Sequence, residues 1–119
     1  YPYCVSASDK LLNQFKENNF VGITATAPGF YGPQGRQIKL KSALPNLNDC
    51  LTNFNCNGLK ITNFEMETSA LYGLGKLLNH NCLTVCVIIA NRVRKEFTND
   101  YKKSVEILIE NCLDKLTKN

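Results

Sequence analysis

The sequence holds one histidine, His80, no Cys-x-x-Cys pair, and no apolar run longer than Val85 to Ala90. Each absence excludes something. A lone histidine without paired cysteines supplies no zinc quartet of the usual kind, so no metal is expected. The apolar run is far short of the roughly 20 residues that cross a bilayer, which argues against a membrane partner. No basic, apolar, small-residue succession opens the chain, so no secretory signal is visible. Internal repeats and low-complexity stretches are missing as well. The chain begins Tyr1-Pro2 without an initiator methionine, as expected for a processed product or a segment of something longer.

The six cysteines, at 4, 50, 56, 82, 86 and 112, do not read as a disulfide scaffold. Cys82 and Cys86 lie four residues apart on one face of an expected strand. At strand rise they sit about 13 Å apart, beyond the roughly 7 Å that a bridge spans. Small buried thiols in a reducing cytoplasm are expected instead.

What is present is ordinary for one globular domain. The chain has 119 residues, enough for a core, with 44% hydrophobic and 20% charged residues. Its net charge of +4 is scattered over positions 36, 39, 41, 92, 94, 95, 102 and 103. Nucleic-acid binding wants a continuous basic face with stacking aromatics, and none is visible.

Along the chain, strand-like and helix-like stretches alternate. Tyr3 to Val5 reads as a short strand, and Ser8 as the N-cap of a helix carrying Leu11, Leu12 and Phe15. Phe20 to Thr26 is rich in Val, Ile and Thr and reads as a strand. Gln37 to Ser42 alternates as a strand would, and Pro45-Asn46 opens a short helix. Leu59 to Glu65 reads as a strand leading into a helix from Met66 to about Asn79, with Met66, Ala70, Leu74, Leu77 and Leu78 on one face. His80 reads as an exposed helix-end residue. Leu83 to Ala90 has the apolar character of a central parallel strand. A final helix carries Val105, Leu108, Ile109, Cys112, Leu113 and Leu116 as a stripe. This pattern implies an α/β layered sandwich, with a mixed, largely parallel central sheet flanked by helices.

Three polar clusters fall at loops or strand ends, where open α/β sheets keep their ligand sites. The loop Ala27 to Arg36 is rich in glycine and proline, yet carries Phe30, Tyr31, Gln34 and Arg36, more chemistry than a connection needs. Asn63-Phe64-Glu65-Met66-Glu67-Thr68 sets two carboxylates at a strand-to-helix junction. Asn91-Arg92 follows the apolar stretch. Glutamine offers an acceptor and two donors and arginine a planar fork, a pair able to read the edge of an amide-containing heterocycle such as uracil. Glu67 can accept from two neighbouring hydroxyls, as on a ribose. The plainer alternatives are that Glu65 and Glu67 are first-turn acids favoured by the helix dipole, and that Phe30 and Tyr31 cover a core edge.

The segments Phe30-Tyr31-Gly32-Pro33-Gln34-Gly35-Arg36, Phe64-Glu65-Met66-Glu67 and Val87-Ile88-Ile89-Ala90-Asn91-Arg92 resemble, in order and spacing, the nucleoside phosphorylase-I family. Within it they are most similar to the uridine phosphorylases. The Glu-Met-Glu motif says only "nucleoside", whereas the Phe-Tyr-x-x-Gln-x-Arg motif is the pyrimidine signature. Purine members carry a Ser-Asp pair where this chain has Ala90-Asn91-Arg92.

The resemblance implies base binding by Phe30, Gln34, Arg36, Ile88, Ile89 and Arg92, and ribose binding by Glu65, Met66 and Glu67. It implies catalytic roles for Gln34, Arg36 and Glu67. The reaction would be phosphorolysis of uridine to uracil and ribose 1-phosphate, in a cytoplasmic homo-oligomer. No cofactor is implied, and inorganic phosphate is the co-substrate. Residues 1–119 match the C-terminal part of such a domain, incomplete on the N-terminal side. The family's phosphate cradle has no counterpart here, and Thr24 is a candidate for proximity only. The chain alone is therefore expected to be inactive. A nucleosidase of the same family, or a non-catalytic nucleoside-binding or structural fragment, are the alternatives.

Overall fold

The computed structural model describes residues 3–117. Helix α1 (Asp9–Phe15) starts at Ser8, whose hydroxyl accepts from the Leu11 N–H at 3.5 Å and donates to the Asn81 side chain at 2.7 Å. Strand β1 (Ile23–Thr26) follows, and then a loop containing one 3-10 turn, Gly32–Gln34. Helix α2 (Leu47–Thr52) leads to β2 (Asn55–Cys56) and β3 (Leu59–Glu65). Asn57 and Gly58 join these two strands with φ of 53° and 83°, the left-handed pair that a two-residue hairpin demands. Helix α3 (Thr68–Leu77), a small ladder of β4 (Ala90–Asn91) with β5 (Glu96–Phe97), and α4 (Tyr101–Thr117) complete the chain.

The main sheet has the order β1-β3-β2. Its β1–β3 pairing is parallel and its β2–β3 pairing antiparallel, so the fold is mixed α/β with a mixed sheet. The register sets Thr26 opposite Glu65. Both parallel strands therefore end side by side, and the chain leaves each in the same direction.

Several expected elements differ. Residues 83–89 form no strand, although their sequence is the most strand-like in the chain. Their backbone groups are used singly: the Thr84 N–H donates to the Tyr72 hydroxyl at 2.8 Å, and the Ile89 carbonyl accepts from the Thr98 N–H at 2.8 Å. A side-chain oxygen thus takes an amide that a ladder would use. Tyr3 to Val5 is also irregular, and residues 37–42 bend with Ile38 and Leu40 exposed. Alternation there has no covered face to alternate against. The thiols of Cys50, Cys56 and Cys86 are exposed rather than buried, and those of Cys82 and Cys112 are intermediate.

Helix α3 turns a different face inward from the one its leucines predict. Thr68 and Gly75 are buried, whereas Leu74 and Leu77 stand 60% and 81% exposed. Polar bonds set this rotation. The Thr68 hydroxyl bonds that of Thr84 at 3.0 Å, and the Ser69 N–H donates to the Thr26 hydroxyl at 3.0 Å. About two turns further on, a Cβ on Gly75 would lie 2.4 Å from the Cys82 sulfur, so only glycine permits the approach. The helix ends on Asn79 at φ 58°. His80 N–H reaches the Gly75 carbonyl at 2.8 Å and Asn79 N–H that of Lys76 at 3.4 Å, a Schellman closure. His80 itself is exposed.

In α4, Val105, Leu108 and Cys112 are half-buried, while Ile109, Leu113 and Leu116 are exposed. Its last turn meets α1: Gln14 Nε2 donates to the Lys115 carbonyl at 2.7 Å, and Lys115 Nζ returns to the Gln14 carbonyl at 3.3 Å. Between the sheet, α1 and residues 83–88 lies a cavity of about 970 Å³ lined by Phe15, Thr24, Ile61, Phe64 and Val85. Among the described residues only Phe15 and Ala27 are buried apolar side chains.

Candidate functional site

The site grows from the paired ends of β1 and β3. Glu65, the last residue of β3, accepts from the Thr26 hydroxyl through Oε1. Its Oε2 accepts from the Glu67 N–H at 2.7 Å and the Thr68 N–H at 2.5 Å. The carboxylate thereby satisfies donors at the start of α3 that no helical carbonyl reaches. Burial pushes the Glu65 carboxyl up, but the bonds from Thr26, Glu67 and Thr68 outweigh it and hold the group below its ordinary value. Both oxygens of Glu65 are thus spent on the protein.

Glu67 differs although it is only two residues away. It caps α3 through its backbone position, and its side chain makes no capping bond. The carboxylate is exposed and accepts only a 3.2 Å bond from the Met66 N–H among the bonds described for it. Oxygen capacity remains for a ligand. Met66 is exposed beside it.

After β1, the Ala27 N–H bonds the Glu65 carbonyl at 2.9 Å, which ties the loop to the end of the neighbouring strand. The loop then folds back on itself. Gly35 takes φ of 72°, and the Gly35 and Arg36 N–H groups close onto the Gly32 and Tyr31 carbonyls at 2.9 Å each. This knot buries Gln34 to 4% exposure. Phe30 and Tyr31 meet edge to face with centroids 5.3 Å apart, and both remain more than half exposed.

Two arginine side chains converge on Gln34. Its Oε1 accepts from Arg36 Nη1 at 2.9 Å and from Arg92 Nη2. Its backbone carbonyl accepts from Arg92 Nη1 at 2.8 Å. Each guanidinium also lies over an aromatic ring. Arg36 Cζ is 3.7 Å from the Phe30 centroid and Arg92 Cζ is 4.7 Å from that of Phe64. Arg36 further donates to the Phe30 carbonyl. Burial, then the neighbouring charge of Arg36, lowers the Arg92 pKa from its ordinary value. Two cations a few ångströms apart form a pocket edge that favours electron-rich atoms.

Phe64 and Glu65 are adjacent in β3, so the cationic cluster and the carboxylate corner share one strand. Ile88 and Ile89 lie half exposed, their carbonyls bonded to the Thr98 side chain and backbone respectively. Ile88 lines the same cavity as Phe64 and Thr24. The Thr24 hydroxyl is buried without a partner. No group of three His, Cys, Asp or Glu side chains suited to a metal occurs among the described residues, and no described helix is long and apolar enough to cross a membrane.

Sequence reasoning missed Thr26, Thr68, Ser69 and Thr84, the hydroxyl and amide groups that set the corner, and Phe64 as the platform under Arg92. One signal was available for Thr26. A threonine ending a β-rich run is well placed to bond whatever ends the neighbouring strand, but the neighbour is known only once β1 pairs with β3.

Comparison with known proteins gives two matches. The family model described as the phosphorylase superfamily matches residues 1–118. The uridine phosphorylase of Thermococcus kodakarensis is 34% identical over 94 residues, covering 74% of this chain and 31% of that protein. The chain thus spans about a third of that relative's length. No solved structure matches the chain.

Proposed function

The chain belongs to the phosphorylase superfamily, and from that premise we propose that it forms the base- and ribose-binding side of a pyrimidine-nucleoside phosphorylase. The intact enzyme would be a pentosyltransferase that converts uridine and inorganic phosphate to uracil and ribose 1-phosphate. One observation carries this reading. The Gln34–Arg36–Arg92 cluster lies on the loop that follows β1 and against Phe64 of β3, and the exposed Glu67 carboxylate follows the end of β3. The named activity of the 34% identical relative supports uridine as the substrate.

The chemistry follows from charge. As the bond from C1′ to the base nitrogen breaks, its electron pair stays on the base and the sugar becomes oxocarbenium-like. Donors of Gln34 and Arg36 stabilise the negative charge gathering on the ring, the electrostatic term that dominates most catalysis. Glu67 accepts from the 2′- and 3′-hydroxyls and keeps a negative charge beside the cationic sugar. Met66 packs on the ribose, and Glu65 holds the turn that presents both. Phe30, Ile88 and Ile89 bound the base. A phosphate oxygen then forms the new bond to C1′. Among the described residues no cradle for that phosphate is assigned, and Thr24 stays a candidate for proximity only. The 119 residues alone should therefore bind uridine without turning it over. A cytoplasmic homo-oligomer without cofactor, with no nucleic-acid or membrane partner, belongs to the same proposal.

Calorimetric titration of uridine into the chain tests this. Glu67→Ala and Gln34→Ala should each weaken binding about tenfold or more, the worth of one or two charged or well-placed hydrogen bonds. Equal affinity in the parent and both variants would sink the assignment.

A further inference from the structure

Glu67 holds the N-cap position of α3, and Ser69 is the second residue of that helix. An N-cap side chain ordinarily accepts from the N–H of the second or third helical residue. The Glu67 carboxylate does not: it makes no capping bond and stays exposed. Its place is filled from elsewhere. The Ser69 N–H donates to the Thr26 hydroxyl at 3.0 Å. The Glu67 and Thr68 N–H groups donate to Glu65 Oε2 at 2.7 and 2.5 Å. Thr26 also joins the two acceptors, since its hydroxyl donates to Glu65 Oε1 while accepting from Ser69. A hydroxyl can carry both bonds because it has one proton and two lone pairs. The parallel register sets Thr26 opposite Glu65 and so puts that hydroxyl within reach.

We propose that Thr26 and Glu65 are positioning residues that satisfy the start of α3 and so spare the Glu67 carboxylate for the hydroxyls of a ribose. The inference rests on the nucleoside reading above and adds to it what keeps Glu67 available. A carboxylate that caps its own helix gives up an oxygen and turns away from a ligand. Without the Thr26 hydroxyl the Ser69 N–H loses its acceptor, and the positive end of the helix draws Glu67 onto it. Thr26 itself touches no ligand and acts through Glu67.

The test compares uridine with 2′,3′-dideoxyuridine, which lacks both hydroxyls, by calorimetry on the same chain. The parent should bind uridine about tenfold or more tightly, the worth of hydrogen bonds to a charged acceptor. Thr26→Val keeps the shape without the hydroxyl. It should bring that ratio within about threefold and leave the affinity for the dideoxynucleoside within about twofold of the parent's. Thr26→Ser returns the hydroxyl and should restore the parent ratio. A Thr26→Val chain that loses affinity for both nucleosides alike, or keeps the parent ratio, would show a merely structural threonine and overturn the proposal. So would Thr26→Ser without the parent ratio. One measurement needs no variant, whatever Thr26→Val does to folding. In carbon-detected NMR of the parent, uridine should shift the Glu67 side-chain carboxyl signal and leave that of Glu65 in place. Comparable shifts of both would mean that Glu65 is not committed to the helix, and would equally overturn the proposal. A parent that binds the two nucleosides alike rejects Glu67 as the ribose ligand, and the sparing role with it.

Discussion

The corner at the ends of β1 and β3 and the outer faces of α3 and α4 obey opposite rules. At the corner nearly every polar group is bonded: both oxygens of Glu65, the Thr26 hydroxyl as donor and acceptor, and Gln34 between two arginines. On the helices, leucines and isoleucines at helical spacing face outward, with Leu77 81% exposed. Hydrogen bonds are directional and short-ranged, so a few adjacent groups can settle a corner by themselves. Apolar burial is non-directional and needs a covering surface, and none lies over these faces among the described residues. The polar corner, rather than the leucine stripe, sets the rotation of α3.

If that contrast is right, Glu65→Ala should be the most damaging change. It leaves the Thr26 hydroxyl and two N–H groups at the start of α3 without an acceptor, at a cost of about 2 kcal/mol or more by urea denaturation. Thr26→Val keeps the shape and removes one bond to Glu65 and one from Ser69. It should cost about 1 kcal/mol and raise the Glu65 pKa, which carbon-detected NMR titration reads directly. A smaller effect is expected from acid. Glu65 is held below its ordinary value in the folded state, so the unfolded chain takes up the proton first as pH falls. Its contribution is complete above the ordinary carboxylate value near 4.5 and is lost as pH falls further, through the depressed folded value. Denaturation midpoints followed from neutral to acid pH should fall over that window, less so in Thr26→Val. The smallest effect belongs to the helix surface: Leu77→Lys should leave stability within about 0.5 kcal/mol. A large loss there would mean that this face is covered in solution and would break the comparison.

Hydrogen exchange sharpens the same contrast without mutation. The amides of Gly35, Arg36 and Thr68, each bonded within the corner, should exchange more slowly than those of residues 85–88, which lie outside any ladder.

Much of the local structure was legible beforehand. Ser8 as a cap, β3 to its last residue, and the loop carrying Phe30 to Arg36 follow from short-range rules that need no knowledge of the rest of the chain. The strand expected at 83–90 was not legible correctly. Its β-branched composition is real, but a strand exists only where a neighbour offers a ladder, and here Tyr72 and Thr98 take single bonds instead. The α3 stripe failed for a similar reason. Its leucines state a preference for burial, while the bonds of Thr68 and Ser69 and the bare backbone of Gly75 decide which face packs.

The sequence by itself determined the chemistry available to this protein. It set two carboxylates at a strand-to-helix junction, and glutamine and arginine in a glycine-rich loop, because those identities and spacings are local. Only the tertiary structure decided how the groups are used. The parallel register places Thr26 against Glu65 and so occupies that carboxylate while Glu67 stays open. The return of the chain at Arg92 brings a second cation onto Gln34. Such contacts join residues 39 and 58 positions apart, and no local rule reaches that far.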